Sequence, residues 1–152
     1  GTMIRAAVPA DCPRILELGE RFFNEAGWRD VATWDRVSVI DTLEALSRGG
    51  VLLVAEADGV VVGIAGAALY PAYFNAGLTM AQELFWYVEA AHRNGLGAAL
   101  LRELEAGCRA KGAHTFTMIT VAGLDDELLA KVYRRKGFRP AERSFIKRLE
   151  AA

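Results

Sequence analysis

The spacing of apolar residues predicts that the chain opens with a short strand followed by a helix. Ile4 to Val8 is a β-prone run, and a helix is predicted to begin near Pro13. Asp11 precedes that helix and is expected to accept hydrogen bonds from its first free amides, while Gly27 supplies its end. The apolar residues that recur at helical spacing between these limits are Ile15, Leu18, Phe22 and Ala26.

A second helix is predicted from Trp34 to Arg48, with Thr33 as its cap and Gly49-Gly50 after its end. Its apolar residues, which the helical period turns toward the core, are Val37, Ile40, Leu43 and Leu46. Two helices are therefore expected before the main sheet.

The middle of the chain has the pattern of a β-hairpin. Val51 to Ala57 and Val60 to Leu69 are rich in aliphatic residues, and Asp58-Gly59 between them is a strong tight-turn signal. Tyr70 to Met80 contains proline, asparagine and glycine among its aromatic residues, so it is predicted to be a loop. Ala81 to Glu89 follows as another strand.

The last third of the chain predicts two more helices and two more strands. A helix starts at Leu96, ends before Gly112 and carries Leu100, Leu104 and Cys108 on one face. His114 to Val121 alternates as a strand does, Asp125 or Asp126 can cap a helix that runs through Lys136, and Ser144 to Leu149 reads as a final strand. The predicted order is β-α-α-β-β-β-α-β-α-β in one α+β domain.

Composition narrows the class of protein. The 152 residues are 53% hydrophobic, yet no apolar run approaches the roughly 20 residues of a membrane-spanning helix. A net charge of -1 favours neither nucleic acid nor a membrane surface as partner. Cys12 and Cys108 fit no metal or redox spacing and are predicted to be buried, reduced thiols, which suits a cytoplasmic location. Gly1-Thr2 looks like a cloning remnant, and residues 3–150 are expected to form a single domain.

The junction between the predicted strand ending at Glu89 and the helix starting at Leu96 has the chemistry of an anion site. Gly95 and Gly97 lack the β-carbons that keep a ligand away from the main chain, and the amino end of a helix attracts phosphate. Taken alone, Gly-Leu-Gly is also consistent with a simple turn of the chain.

This junction resembles the GCN5-related N-acetyltransferase superfamily, whose loop reads (Arg/Gln)-x-x-Gly-x-(Gly/Ala). The corresponding residues are His92-Arg93-Asn94-Gly95-Leu96-Gly97, with His92 in place of the usual Arg or Gln. About 35 residues later, Tyr133-Arg134-Arg135-Lys136-Gly137-Phe138 resembles the Tyr-x-x-x-Gly-Phe motif of the same superfamily. The resemblance implies a mixed, mostly antiparallel sheet of six to seven strands flanked by about four helices.

The resemblance also implies a coenzyme site. Acetyl-CoA is the expected cosubstrate, with no metal, and its pantetheine arm is expected between two strands that splay apart. The residues expected to contact the coenzyme are Tyr87, Val88, Ala90, His92, Arg93, Asn94, Gly95, Leu96, Gly97 and Ala98. A main-chain amide near Val88 is expected to polarise the thioester carbonyl.

Two residues are expected to carry the chemistry by the same resemblance. Tyr133 is the candidate acid for the departing thiolate, because a phenol stays protonated at neutral pH; its alternative role is packing beside Val132 and Phe138. Glu83 is the candidate base that takes a proton from the amine, directly or through water, and its alternative role is a salt bridge at a strand end. The acceptor pocket is expected to include Glu25, Trp28, Tyr70 and Tyr73.

Further roles stay open at the level of sequence. Arg134, Arg135 and Lys136 either oppose a helix dipole or meet the 3'-phosphate of the coenzyme. The acceptor is expected to be a small-molecule or peptide amine, with a homodimer possible. A non-catalytic acyl-CoA-binding domain is the main alternative, and a nucleotide-binding module is disfavoured because the chain has no Gly-x-x-x-x-Gly-Lys-(Ser/Thr) loop.

Overall fold

A computed structural model describes residues 1–150 of the chain. Its strands and helices are β1 (Thr2–Ala6), α1 (Cys12–Glu25), α2 (Arg36–Gly49), β2 (Val51–Ala57), β3 (Val60–Ala72), β4 (Asn75–Val88), α3 (Leu96–Ala110), β5 (Thr115–Thr117) and α4 (Asp126–Arg135). The five strands form one sheet in chain order, antiparallel except for the parallel pair β4 and β5. The order of elements agrees with the α+β prediction up to α4.

The sheet has five strands rather than six to seven, so that part of the prediction is wrong. Ser144 to Leu149 forms no strand within residues 1–150, and Phe145 in this segment is 87% exposed. Alternation alone does not make a strand, because its main-chain groups need a neighbouring strand as partner. The predicted strand from His114 to Val121 is also shorter, since only Thr115–Thr117 pair with β4.

The segment from Tyr70 to Met80 is not a loop but the outer part of a long hairpin. β3 continues to Ala72 and β4 begins at Asn75, so that the turn between them is only two residues long. The pairing of β3 with β2 stops at Ala67, opposite Val51. The part of β3 beyond Ala67, which includes Pro71, is therefore a sheet edge on that side, where proline is tolerated. Pairing across the hairpin therefore overrode the local turn signals.

Both amino-terminal helix caps differ from the prediction. The second helix is capped by Asp35, whose carboxylate accepts from the amide of Ser38 at 3.0 Å, and not by Thr33. Asp11 holds the N-cap position of α1, but its carboxylate accepts from Arg5 at 2.7 Å and from the amide of Val8 at 2.8 Å instead of from the first amides of the helix. The neighbouring guanidinium holds the pKa of the Asp11 carboxyl below its usual range, against the effect of burial.

The sheet separates two apolar clusters. One face packs against α3, with Leu100, Leu104 and Cys108 fully buried there, as the helical spacing predicted. The other face packs against α1 and α2, which contribute residues such as Leu18 and Leu43. The prediction that Val37 faces the core is wrong, because this residue is 66% exposed. Thr2 belongs to β1 and pairs with Ala57, while its origin as a cloning remnant stays a prediction.

Candidate active site

A β-bulge in the middle of β4 sets which face each later side chain occupies. Ala67 of β3 pairs with Glu83, whereas Gly66 pairs with Phe85, so Leu84 is the extra residue. Side chains of a regular strand alternate between faces, so Ala81 and Val88, seven residues apart, would lie on opposite faces. Both belong to the cluster beneath α3 because the bulge shifts the alternation by one residue.

The bulge coincides with the point where β4 and β5 diverge. Their last pair is Gln82 with Thr117, and within residues 1–150 no strand pairs with the outer side of β4 beyond it. On the inner side, the amide of Glu89 donates to the Val62 carbonyl at 2.9 Å. This bond flanks the pair Gly63 and Val88, which is therefore a non-hydrogen-bonded pair of the antiparallel ladder.

The register decides which main-chain groups of β4 are free for a ligand. By alternation, the N–H and C=O groups of Val88 and Trp86 point away from β3, into the gap left by β5. The main chain of Tyr87 faces β3 instead, and its ring packs toward α1 at 6.0 Å from the Phe22 ring. Val88 is an expected contact of the pantetheine arm, and its main-chain groups do face this gap. The main-chain groups of Trp86 face it as well, although sequence reasoning did not include Trp86.

The amino end of α3 stands over this gap. Gly95 has a φ of 81°, which glycine adopts without strain, and its carbonyl accepts the first helical bond from the Ala99 amide at 3.1 Å. The amides of Leu96, Gly97 and Ala98 belong to the first turn, which has no helical carbonyls for them. These amides and the dipole of α3 lie where the sequence predicts an anion cradle, and the binding of an anion there stays a prediction.

Gly97 and Trp86 hold the helix end against the strand. The indole Nε1 of Trp86 donates to the Gly97 carbonyl at 3.0 Å, and a β-carbon on Gly97 would lie 3.6 Å from the Trp86 ring. Ala90 and His92 form a short 3₁₀ turn between β4 and the glycines. His92, Asn94 and Gly95 line a shallow cavity of about 360 Å³ beside the cradle.

Arg93 folds back over the end of β4. Its Nε donates to the Val88 carbonyl at 2.7 Å, and its guanidinium lies 5.5 Å from the centre of the Tyr87 ring. Nη2 of Arg93 is 4.0 Å from the carboxylate of Glu25, which also accepts from the Tyr87 hydroxyl at 3.1 Å. Glu25, which is expected to line the pocket for the acceptor amine, therefore lies next to Tyr87 and Arg93, two of the expected coenzyme contacts.

The candidate base and acid meet where β4 and β5 diverge. Glu83 is 3% exposed, and its carboxylate accepts from the Ile119 amide at 3.4 Å. Burial raises the pKa of the Glu83 carboxyl to about 7, and the Ile119 amide opposes that shift only partly. Among residues 1–150 the Glu83 carboxylate has no salt-bridge partner, which contradicts the alternative role that the sequence left open for it.

Tyr133 lies on α4 and contacts the same residue, Ile119. Its hydroxyl donates to the Ile119 carbonyl at 2.9 Å, and its ring is 6.3 Å from the Trp86 ring and 5.5 Å from the Phe138 ring. Burial, with the nearby Glu83 charge, raises the pKa of the Tyr133 phenol well above its usual range. The phenol is therefore protonated at neutral pH, and its ring packs against Phe138; its role as the acid for the departing thiolate stays a prediction.

Other predicted residues lie farther from this centre. Tyr73 is 98% exposed at the tip of the β3–β4 hairpin, and the Tyr70 hydroxyl lies 3.4 Å from the Gln82 side chain. Trp28 sits in a short 3₁₀ turn after α1 and is 44% exposed. Arg134 and Arg135 occupy the last turn of α4, where they oppose its dipole.

The two cysteines differ in their burial. Cys108 is fully buried and burial raises the pKa of its thiol to about 11, whereas Cys12 is only half-buried, contrary to the prediction. Across residues 1–150 no group of three potential ligands is placed to hold a metal ion. Over the same range no helix is both long and apolar enough to cross a membrane.

Comparison with known proteins agrees with this geometry. Residues 13–138 match the model of the acetyltransferase (GNAT) family. A search of curated protein sequences finds no match. Among solved structures, an acetyltransferase of Trypanosoma brucei is 23% identical with a TM-score of 0.73, covering 98% of this chain and 100% of that one. At this identity the likeness concerns the fold.

Two further solved structures have the same fold. A predicted acetyltransferase of Clostridium acetobutylicum, determined with acetyl-CoA, is 17% identical with a TM-score of 0.75, covering 97% of this chain and 96% of that one. An aminoglycoside acetyltransferase from an uncultured soil sample is 18% identical with a TM-score of 0.73, covering 99% of each chain.

Proposed function

The chain belongs to the acetyltransferase (GNAT) family, and on that premise we propose that it moves an acetyl group from acetyl-CoA to a primary amine within a ternary complex. One observation carries the proposal: β4 loses its outer neighbour beyond Gln82, directly beneath the free amides that begin α3. A ligand with a diphosphate at one end and an amide-rich arm satisfies both sets of groups at once.

The cradle holds the diphosphate of the coenzyme. Amides of Leu96, Gly97 and Ala98 donate to the phosphate oxygens, with side-chain help from Arg93 and from Asn94 in the loop before them. His92 lines the adjoining cavity and stands where the family usually has Arg or Gln. The outward main-chain groups of Val88 and Trp86 pair with the amides of the pantetheine arm, as a neighbouring strand would.

The transfer itself uses Glu83 and Tyr133. Glu83 takes the proton that the amine nitrogen loses as it attacks the thioester carbonyl, and a pKa of about 7 suits that task at neutral pH. When the carbon–sulfur bond breaks, Tyr133 gives its phenolic proton to the sulfur and exchanges its hydrogen bond to Ile119 for one to the leaving group. Both residues then recover their starting protonation from solvent. The proposal has no covalent acyl-enzyme, because Cys108 is buried in the core and cannot reach the thioester.

Titration with acetyl-CoA, followed by amide NMR, tests the coenzyme site. We expect the largest shifts in residues 93–98 and in the Trp86 indole, which is bonded to Gly97. Titration with ADP-ribose, which carries a diphosphate without a pantetheine arm, is the matched control and should shift residues 93–98 but not the main-chain amide of Trp86, which faces the gap for the arm. Unchanged resonances in residues 93–98 with acetyl-CoA would overturn the proposal.

A thiol-release screen tests the reaction. Small amines, amino acids, polyamines, aminoglycosides and peptide amino termini are offered with acetyl-CoA, and free coenzyme is measured. Aminoglycosides are included because a structure of the same fold is an aminoglycoside acetyltransferase. Acceptor-dependent release that disappears in a Glu83→Gln, Tyr133→Phe double variant supports direct transfer.

A non-catalytic acyl-CoA-binding domain is the second candidate. One observation favours it: the Tyr133 proton is held by the Ile119 carbonyl, and Glu83 is almost fully buried, so both groups are turned to the protein. Calorimetric binding of acetyl-CoA together with no thiol release across the panel would favour this candidate. Homodimer formation and cytoplasmic location remain predictions, which the mass in solution and fractionation of the host cell would test.

A further inference from the structure

Arg93 is held at the end of β4 by three separate contacts. Its Nε donates to the Val88 carbonyl at 2.7 Å, its guanidinium lies over the Tyr87 ring, and Nη2 is 4.0 Å from the Glu25 carboxylate. Half of the side chain is nevertheless exposed, at 52%. Because the Arg93 side chain is long and half-exposed, it can release the Val88 carbonyl by moving alone, with no change in the main chain.

The carbonyl that Arg93 occupies is one that the proposed function needs. The register turns the Val88 C=O into the gap beyond the end of β5, where the amide arm of the coenzyme would lie. A charge-assisted bond of 2.7 Å is a strong one, and it fills the outward side of the oxygen. The guanidinium and an arm N–H therefore compete for the same place.

Arg93 is also next to the phosphate cradle. It lies two residues before Gly95, where α3 is capped, and its carbonyl accepts from the Gly95 amide at 3.0 Å. A guanidinium on this loop needs only a change of side-chain rotamer to leave Val88 and turn toward a diphosphate on the amides of α3. Diphosphate offers it charge-assisted, paired hydrogen bonds in exchange for one carbonyl and a long contact to Glu25.

We propose that Arg93 covers the Val88 carbonyl in the free protein and moves to the coenzyme diphosphate on binding, which makes it a specificity-determining residue. A thioester without a diphosphate must displace Arg93 and offers nothing in return. A thioester with a diphosphate provides a new partner for Arg93 and so opens its own arm site. This inference rests on the proposed function and adds to it the reason why a full coenzyme is preferred to its fragments.

The move of Arg93 also changes Glu25. In the free protein the carboxylate faces Arg93 and the Tyr87 hydroxyl. Once Arg93 leaves, Glu25 loses its nearest cation on the side of the sheet that carries α1, where the acceptor is expected. The bound coenzyme thereby leaves a carboxylate open to a cationic acceptor.

Two probes separate the two roles of Arg93. S-acetylpantetheine carries the amide arm and thioester without the diphosphate, and acetyl-CoA carries all three. We expect Arg93→Ala to bind S-acetylpantetheine about 3- to 10-fold more tightly than the wild type, because the competing donor is gone. The same variant should bind acetyl-CoA about 10-fold more weakly, because the diphosphate has lost a charged partner. Dissociation constants are measured by NMR titration of the Trp86 indole and by calorimetry.

Matched variants keep the result specific. Arg93→Lys retains the charge but not the Nε donor, so it should gain affinity for S-acetylpantetheine and lose less for acetyl-CoA than Arg93→Ala. Arg109→Ala, an exposed change of the same charge on α3, should alter neither constant. Thermal unfolding of each variant verifies that the fold is intact.

Each pattern of dissociation constants either supports or overturns the inference. Opposite changes for the two probes in Arg93→Ala support the inference. Weaker binding of both, or no gain for S-acetylpantetheine over the wild type, overturns it while the proposed function stands. Failure of the wild-type protein to bind acetyl-CoA overturns the proposed function and this inference with it.

Discussion

Replacing Glu83 by glutamine tests the electrostatics of the candidate site most directly. Glutamine has nearly the same shape, and its amide oxygen can still accept from the Ile119 amide, but it does not ionise. The wild-type carboxyl is 3% exposed, and burial raises its pKa from 4.5 to about 7. The variant therefore removes one buried titration and changes little else.

The expected effect on stability follows from that shift. Between pH 4.5 and about 7 the folded protein holds the Glu83 proton more firmly than the unfolded chain, so the wild type loses stability as the pH rises through this window. At about 1.4 kcal/mol per pKa unit, the full cost above pH 7 is about 3 kcal/mol, of which about 2 kcal/mol develops between pH 5.5 and pH 8.5. Glutamine does not incur this cost.

Thermal or urea unfolding at pH 5.5 and pH 8.5 measures the difference. We expect the advantage of Glu83→Gln over the wild type to grow by about 2 kcal/mol between these pH values, or about 4 to 8 °C in Tm for a domain of this size. Glu44→Gln removes an exposed carboxylate on α2 and should show no such growth. An advantage that does not change with pH would refute the raised pKa.

The same variant makes a catalytic prediction with the opposite sign. Wild-type kcat/KM is expected to rise with pH through about 7 as Glu83 becomes able to accept a proton. Turnover of Glu83→Gln at pH 8 should fall by about 10²-fold, while its protein is more stable there. Greater stability with lower activity distinguishes a functional carboxyl from one that only fills the core.

Three further predictions concern other parts of the site. Tyr133→Phe should lower turnover by about 10²-fold with little loss of acetyl-CoA affinity, and unchanged turnover would remove Tyr133 from the mechanism. Gly95→Ala forces a β-carbon into a φ of 81° and should cost about 1 kcal/mol in thermal unfolding, whereas Gly97→Ala, with room for a β-carbon, should cost nothing measurable. Asp11→Asn should lower Tm at pH 7 by weakening the pair with Arg5. The deficit should shrink as the pH falls below about 4, where the unfolded chain protonates this carboxyl before the folded protein does; a deficit that is constant with pH would contradict this.

Local sequence was sufficient for the glycine loop before α3 and for much of the helical framework. Gly95 and Gly97 stand before a run with a clear helical period, and the turn at Asp58-Gly59 carries the positive φ values that such a hairpin requires. These features depend on residues only a few positions apart. The family motif that ends in Phe138 is equally local, so the sequence also singles out Tyr133 as a candidate site residue.

The tertiary structure decided what distant segments do to each other. No sequence signal reveals the bulge at Leu84, the contact of Ile119 with Glu83, or the bond from Arg93 to the Val88 carbonyl. The local pattern predicts a loop from Tyr70 to Met80, which lies in the β3–β4 hairpin, and a strand from Ser144 to Leu149, where none forms.

The physical reason lies in the range of the interactions. Helix caps, tight turns and apolar periods are encoded within a few residues, because the groups that satisfy them are neighbours in the chain. A strand needs a partner that can lie 30 or more residues away, as Gln82 needs Thr117. The pKa of Glu83 likewise depends on what packs around it and not on its neighbours in sequence. The sequence by itself therefore determined most of the elements and the helix start at Gly95, and only the fold decided how many strands pair and that the Glu83 carboxyl is buried.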